Sequence, residues 1–522
     1  MYNPPMPFSL DDWTSEFAKT KTRPRPYRNA AVSFRPSSID DRELRRKILE
    51  DGGLNVFRFP AAMIPGCDLL TDSGTTTMTM RQWSQLLLGD ESYGSNEGYF
   101  EFKQQIVETF GQQWENRDRD QENVFIFHQG RAAEYGLFTC LAKLLGARAS
   151  GTGTVFPGRK SSASPIIPSN GHFDTTQANI EANCFEARNL FSPELRAKDE
   201  ASLFKGNMDL DQLRALLEDP KMRDRIPLVY MTITNNTGGG QPVSLTNIRA
   251  TAELCHSHGV PFLFDACRFA ENAWFNQQNE PLCKGKSVAE VVRMMFEPAD
   301  GFHISLKKDG LVNIGGCLVV SEQGLLAKRY PQLQAMLVGH QILVEGHPTY
   351  GGLAGRDLKG VVEGLKTVVR KEYLTHRINQ VQKFGAWIDE HCGADVVVRP
   401  VGGHAIYLDL DKFFAGTNLS DDQFPGISLT ALLLIAGHRM CELGVYAFGK
   451  QVDGREVGPD PRVNNVRAAV PRLCYEDSDL QSAAEAVGIL YRHRDRIPGV
   501  EVVYGQDRPM RHFISRFRFA SA

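Results

Sequence analysis

The sequence predicts an α/β fold built on a mostly parallel sheet, and three observations between about residues 100 and 320 carry that reading. First, short apolar runs, Val124-Phe-Ile-Phe127, Leu228-Val-Tyr-Met-Thr-Ile233 and Pro261-Phe-Leu-Phe264, read as buried strands. Second, helical periods alternate with them; Ser244 caps one such helix and Gly259 terminates it. Third, the strands empty into polar or glycine-rich turns: His128-Gln-Gly-Arg131, Asn235-Asn-Thr-Gly-Gly-Gly240 and Asp265-Ala-Cys-Arg268. In open α/β sheets ligands lie beyond the carboxyl ends of the strands, so these turns are expected to share one site.

A chain of 522 residues exceeds one ordinary core, so two or three domains are expected. There is no run of eighteen apolar residues. The segment Met1 to Arg28 is polar and carries Asp11, Asp12 and Glu16, which fits neither a membrane span nor a signal peptide, and a cytoplasmic protein is expected. A net charge of -3 gives no reason to invoke nucleic acid. The ten cysteines form no Cys-x-x-Cys pair, and Cys255, Cys317 and Cys474 sit in apolar strings, which suits reduced buried thiols.

In chain order, residues 1 to about 60 read as an arm followed by a helix with Ser38 as N-cap and Asp40 and Asp41 in its first turn. Asp68 to Thr75 reads as a strand running into a turn, and Met80 to Leu88 as an amphipathic helix. The loop Gly89 to Glu97 concentrates glycine, acids and Tyr93 without apolar periodicity, so it needs a reason other than packing. Gly130-Arg131 opens a helix and is a ready anion site, because free N–H groups, the helix dipole and a guanidinium point at one place. Gly151 to Gly171 is rich in Gly, Ser and Pro and reads as a surface loop or disordered insert. Beyond Lys359, Val362, Leu365, Val368 and Val369 make one apolar face, and Val381, Phe384 and Ile388 continue a helical period.

The chemistry centres on Ser305-Leu-Lys-Lys-Asp-Gly310, where two lysines stand between a short apolar strand and a glycine turn. An ammonium pressed against a second cation and partly removed from water loses proton affinity, which makes a nucleophilic amine near neutral pH. The strand-end turns bring Gln129, Gly130, Arg131, Asn236, Asp265, Arg268 and Lys308 toward one place. A lysine can carry an aldehyde as an imine and an aspartate can keep a pyridine nitrogen protonated. Asn236 and Arg268 can hold a phenolic oxygen, Phe173 can stack on a ring, and Gln-Gly-Arg can hold a phosphate. That inventory describes pyridoxal 5'-phosphate. Taken singly, each residue has an ordinary alternative: Asp265 as a helix N-cap, Arg268 as an ion-pair partner, Phe173 as core.

With these segments in view, the chain resembles the β-eliminating lyases, the tryptophanase and tyrosine phenol-lyase family of fold-type I pyridoxal-phosphate enzymes. The resemblance spans Leu70 to Thr75, Gly89 to Tyr93, His128 to Arg131, Gly239 to Ser244, Phe264 to Arg268, Lys307 to Asp309, Tyr350 to Gly355, Gly402 to Ala405 and Val466-Arg467. It implies that Lys308 carries the cofactor, that Asp265 pairs with the pyridine nitrogen, and that Asn236 and Arg268 sit near the ring oxygen. It implies that Gln129, Gly130, Arg131 and Ser305 bind the phosphate, that Phe173 stacks on the ring, and that Thr71 and Arg467, beside Asn236, take the substrate carboxylate. Glu91 with backbone carbonyls of Gly74 and Asn313 matches the family's monovalent-cation site, where potassium is preferred. A large cofactor domain of residues 70–340, a smaller α+β domain of residues 345–522 joined by part of residues 1–69, and a homotetramer with shared active sites are implied, with Tyr93 crossing to the neighbour. The longer insert at Gly151 to Gly171 and the turn Asn235 to Gly238 depart from the family pattern.

Within the family the leaving-group side separates two activities. Asp174, Leu443 and His512 stand where the tyrosine-cleaving branch carries threonine, an arginine that meets the phenol hydroxyl, and phenylalanine. The resemblance therefore implies cleavage of L-tryptophan to indole, pyruvate and ammonia, with Lys308 as base and Tyr93, Asp174 and His512 as candidates to position or deliver the proton on the leaving carbon. The alternatives are cleavage of tyrosine or of another aryl or S-substituted amino acid, an aminotransferase or aldolase on the same fold, and a non-catalytic binding protein.

Overall fold

The computed structural model describes residues 27–32, 39–118, 120–146, 164–197, 201–452, 455–457, 463–508 and 510–520. Its centre is a five-stranded sheet. In chain order the strands are β1 (Val124–Phe127), β2 (Ile166–Ser169), β3 (Glu186–Asn189), β4 (Val229–Thr232), β5 (Phe262–Asp265), β6 (Gly301–Ser305) and β7 (Gly316–Val320). The central sheet runs in the order β1-β7-β6-β5-β4, and β2 and β3 form a separate parallel pair. Strands β4, β5 and β6 are parallel, whereas β7 is antiparallel to both β6 and β1. The mostly parallel sheet expected from the sequence is found, with β7 as its single reversed strand. The short return from β6 through Lys307-Lys308 to β7 cannot make a parallel crossover, which needs a dozen or more residues.

Helices cover this sheet. Asp41, not Ser38, caps α1 (Arg42–Asp51); Ser38 lies outside the described residues. A Thr79/Gln82 capping box opens α2 (Met80–Leu88), and the buried Gln82 amide donates to the Leu311 and Gly360 carbonyls. Asn96 caps α3 (Glu97–Phe110), and α4 (Gly130–Leu144), α5 (Asp174–Ala182) and α6 (Leu245–Ser257) follow β1, β2 and β4. Ser244 caps α6 as its sequence suggests, and Gly259 follows at a positive φ. The helical pattern after Lys359 is two helices, α7 (Gly355–Val368) and α8 (Lys371–Cys392), because the chain turns at Val369.

Two readings fail here. Asp68 to Thr75 is not a strand; only one bridge, Asp68 to Arg439, is regular. Residues 164–171 of the supposed surface insert hold the fully buried β2, while 151–163 lie outside the described residues.

The apolar side chains from Met78 to Leu374 fill the layers around the sheet. Val381 onward joins Cys67 and Leu69 around the antiparallel strands β8 (Ala405–Asp409), β9 (Cys441–Leu443) and β10 (Asn465–Ala469). A further cluster joins Leu49 to Ile64 with Phe424, Tyr446, Val500 and Phe517.

His438 is one fastening between these parts. It is buried, its Nδ1 accepts the Cys67 N–H at 3.0 Å, and a Cβ on Gly66 would lie 2.4 Å from its ring. Burial, with Arg45 nearby, pushes its pKa down to about 4. A histidine depressed from its ordinary 6.5 contributes stability that is present above pH 6.5 and is lost as pH falls toward 4, about 3 kcal/mol for a shift of this size. The denaturation midpoint is expected to drop across that window, and His438→Gln to flatten part of the drop, since His172, also pushed to about 4 by burial, and His404, pushed well below 6.5 by burial and Arg268, contribute as well. An unchanged slope in His438→Gln would contradict the assignment.

Candidate active site

Lys308 sits in the turn after β6 and lines a cavity with Thr71, Gln129, Gly130, Arg131, Phe173, Asp265, Arg268, Ser305 and Arg467. Ten of the residues expected from sequence thus meet at the carboxyl ends of β1, β5 and β6. Ser305 closes β6, and Gln129-Gly130 begins α4 directly beside it. A Cβ on Gly130 would lie 2.6 Å from Ser305 Cβ, and one on Gly316 would lie 2.3 Å from the Gln129 carbonyl carbon. Only glycine lets the first turn of α4 press against β6 and β7, where its N–H groups face the cavity. Lys307, not only Lys308, lines the cavity, and burial, Arg131 and Lys308 together lower its pKa.

The floor is ionic. Asp265 is buried, and its Oδ1 accepts the Cys267 N–H at 3.2 Å and lies 3.7 Å from His303 Nε2. His303 Nε2 is 3.2 Å from Glu134 Oε1, which also accepts the Thr176 hydroxyl, and its Nδ1 meets the Tyr230 hydroxyl. Burial raises the pKa of both carboxyls. In Asp265 the charges of His303 and Lys308 overcome it and leave the group below its ordinary value, whereas Glu134 stays above its own. Asp265 is therefore an anion held under the cavity, and the set of anion, amine, helix N-terminus and guanidinium fits pyridoxal phosphate.

Sequence reasoning missed Glu134, His303 and Cys267. Glu134 lies one turn after Gly130 on α4, and His303 shares the Ser305 face of β6, so helical and strand spacing could have found both.

Behind the floor lies a buried charge network with no local signal. Arg268 grips Asp72 with two bonds of 2.7 and 3.0 Å. Arg472 reaches Asp72 at 2.9 Å, Glu271 at 2.9 Å and Asp309 at 2.8 Å, and Arg377 meets Glu271 at 3.0 Å. Burial alone would raise Asp72, but Arg268 and Arg472 hold it well below the usual carboxylate range. Arg268 is thus an ion-pair partner as well as a cavity wall.

On the substrate side, Arg467 projects from β10. Its NH2 donates to the Leu70 carbonyl at 3.1 Å, its NH1 lies 3.5 Å from Asn236 Oδ1, and its buried Nε has no partner among the described residues. Asn236 does not line the cavity; its Oδ1 accepts Tyr407 at 2.5 Å and meets His404 Nε2 at 3.1 Å. Asp174, between the cavity residues Phe173 and Thr175, lies 3.3 Å from His512 Nε2, and both side chains are nearly buried. Leu443 is buried on β9.

Three expected residues stand apart. Tyr93 is 80% exposed and packs edge-on against His347 and Tyr350. Glu91 pairs with Arg356 at 3.1 Å. Asn313 is beside Gly74, its amide donating to the Gly74 carbonyl at 3.0 Å, but Glu91 has no contact with either among the described residues.

The sequence profile of the Beta-eliminating lyase family matches residues 68–485. The chain belongs to the β-eliminating lyases. A tryptophanase from Salinibacter ruber is 39% identical over 94% of this chain and 95% of its own length. A tryptophanase from Rhodobacter capsulatus is 39% identical over 95% and 99%. A tyrosine phenol-lyase from Intrasporangium calvum is 35% identical over 94% of each chain. Among solved structures, a threonine aldolase from Leishmania major matches with a TM-score of 0.50 at 14% identity, over 81% of this chain and 99% of that one, and shares the fold. This β-eliminating lyase is a pyridoxal-phosphate-dependent carbon–carbon lyase of fold type I.

Two measurements follow from this geometry. Gly130→Ala is expected to cost about 1–3 kcal/mol or more of cofactor affinity, read by titrating cofactor-free protein, because its Cβ must displace backbone; undiminished affinity would contradict the close approach. Arg472→Met leaves buried Asp309 without a guanidinium and removes one of two from Asp72 and from Glu271, and is expected to lower unfolding stability by about 3–5 kcal/mol in denaturant titration; a neutral effect would mean that the network carries no net stability.

Proposed function

We propose that this lyase cleaves an aromatic amino acid, L-tryptophan first, to indole, pyruvate and ammonia. The observation that carries the reading is the Asp174–His512 pair, 3.3 Å apart and nearly buried, with a buried leucine at position 443. An aryl carbon leaves only once protonated, and a shielded carboxyl–imidazole pair is suited to that proton transfer. A buried leucine offers no hydrogen bond to a phenol hydroxyl, which weighs against tyrosine.

The residues divide the work. When bound, pyridoxal phosphate supplies an electron sink joined to the substrate α-carbon. Gln129, Gly130, Arg131 and Ser305 hold its phosphate, Phe173 covers its ring, and the Asp265 anion keeps its nitrogen protonated. Lys308 holds the cofactor and, once released by substrate, takes the α-proton at Nζ. The unpartnered Nε of Arg467, with Thr71 and Asn236 near it, orients the substrate carboxylate. Asp174 and His512 bring a proton to the leaving carbon.

A potassium ion and a homotetramer belong to the same reading. Glu91 and Tyr93 share an exposed loop, and a neighbouring copy is what would carry them to a site. No helix among the described residues is long and apolar enough to cross a membrane.

The test is product identification after incubation with tryptophan, tyrosine and S-methylcysteine. Indole from tryptophan is expected, and phenol released faster from tyrosine would overturn the substrate. Asp174→Ala is expected to slow tryptophan cleavage about a hundredfold more than S-methylcysteine cleavage, since a thiolate leaves without protonation at carbon. Equal losses would place Asp174 in cofactor support.

A further inference from the structure

We propose that Glu442 is the proton reservoir behind His512, joined to it by one water, so that Glu442, water, His512 and Asp174 form a line that recharges the leaving-group acid. This rests on the reading of Asp174 and His512 given above.

Three observations converge. His512 points Nε2 at Asp174, while its other nitrogen, Nδ1, is buried with no partner among the described residues. His512 and Glu442 line the same small cavity, together with Leu54, Asn55, Phe57 and Thr430. A volume of about 10 Å³ there is close to the least that holds one water, and the site has the polar partners a water requires. The other polar side chains are already engaged: Asn55 donates to the His512 and Ser515 carbonyls and accepts from Phe57 N–H, and Thr430 donates to Ile427. The unengaged Nδ1 and the Glu442 carboxyl are what remains for the water.

Alternation along β9 supports the placement. Cys441, paired in register with Arg467, and Leu443 share one face, and Glu442 points to the other. There Glu442 accepts the Tyr446 and Ala447 N–H groups at 3.1 and 3.0 Å. Burial pushes its pKa up to about 7 against those bonds and against Arg511, the charged group facing it; Arg511 is itself held by the Tyr446 carbonyl and ring. Asp174 is the charged group facing His512, and the Cys441 thiol, pushed up by burial to about 12, carries no charge near neutral pH.

The proton count closes. As Asp174 gives its proton to the leaving carbon, His512 passes the Nε2 proton to Asp174. The water protonates Nδ1 and takes a proton from the Glu442 carboxyl. Asp174 ends ready to donate again, His512 neutral with its proton on Nδ1, and Glu442 ionised; before the next turnover Nδ1 returns that proton through the water to Glu442 while Nε2 takes one from solvent entering the vacated cavity.

The test uses cofactor-free protein labelled with ¹³C-histidine, in which the His512 ring signal is identified by its loss in His512→Gln. The wild-type signal is expected to show an inflection as Glu442 titrates near 7, absent in Glu442→Gln. Thr430→Ile, which fills the cavity and leaves Glu442 in place, is expected to remove the same inflection, and it serves if Glu442→Gln does not fold. In the loaded enzyme Glu442→Gln is expected to slow tryptophan cleavage about tenfold more than S-methylcysteine cleavage and to remove the fall in rate as pH rises through 7. An unchanged His512 titration in both variants overturns the relay, as does an equal loss on both substrates. Should tryptophan prove not to be the substrate, the His512 titration still decides the relay by itself.

Discussion

The structure depends on a buried ionic network in which three arginines and three acids come from parts of the chain that are otherwise far apart. Asp72 lies between α1 and α2, Arg268, Glu271 and Asp309 flank the strand ends of the central sheet, and Arg377 and Arg472 belong to the C-terminal part. Charges so deeply buried are tolerable only when each is paired, so all six must arrive together. Asp309 shows why this matters for chemistry. One of its oxygens accepts the Ala270 N–H at 2.8 Å and the other accepts Arg472 at 2.8 Å, which pins the backbone next to Lys308. Arg467 and Arg472 lie on and just beyond the same strand. The lysine and the guanidinium that face each other across the cavity are therefore held by one set of ion pairs.

A second layer of the same logic tunes the site. Asp265 and Glu134 share His303, and the sharing leaves Asp265 below its ordinary value and Glu134 above its own. In the proposed cofactor complex a pyridinium nitrogen would meet the Asp265 anion, beside His303 and Lys308. The glycine contacts at Gly130 and Gly316 bring the helix dipole to bear on the same space. In the function proposed, cofactor recognition rests on backbone geometry at one end and a held charge at the other, and the substrate side on β9 and β10 of the other part of the chain.

What was legible in the sequence was local. The lysine pair, the Gly-Arg helix start and Asp265 announce themselves because strand period, turn chemistry and residue type coincide within a few positions, and they do meet. The direction of β7 was not legible, because a buried strand has the same composition either way. Ile166-Ile-Pro-Ser169 was lost among flanking Gly, Ser and Pro, although its residues are wholly buried. The Asp72–Arg472 contact joins residues 400 apart, and nothing local marks it. Tyr93 and Glu91 were singled out by an unexplained loop, and in a single chain they meet His347, Tyr350 and Arg356 instead of the cavity.

The central claim is that Lys308, fixed by Asp309 and the network behind it, is the amine that bears the cofactor. Borohydride reduction of the loaded protein, digestion and peptide mapping test it most directly. A pyridoxyl adduct on Lys308 alone is the predicted result. An adduct on Lys307, whose lowered proton affinity and place in the cavity make it the one neighbouring competitor, would contradict the account and move the site by one residue.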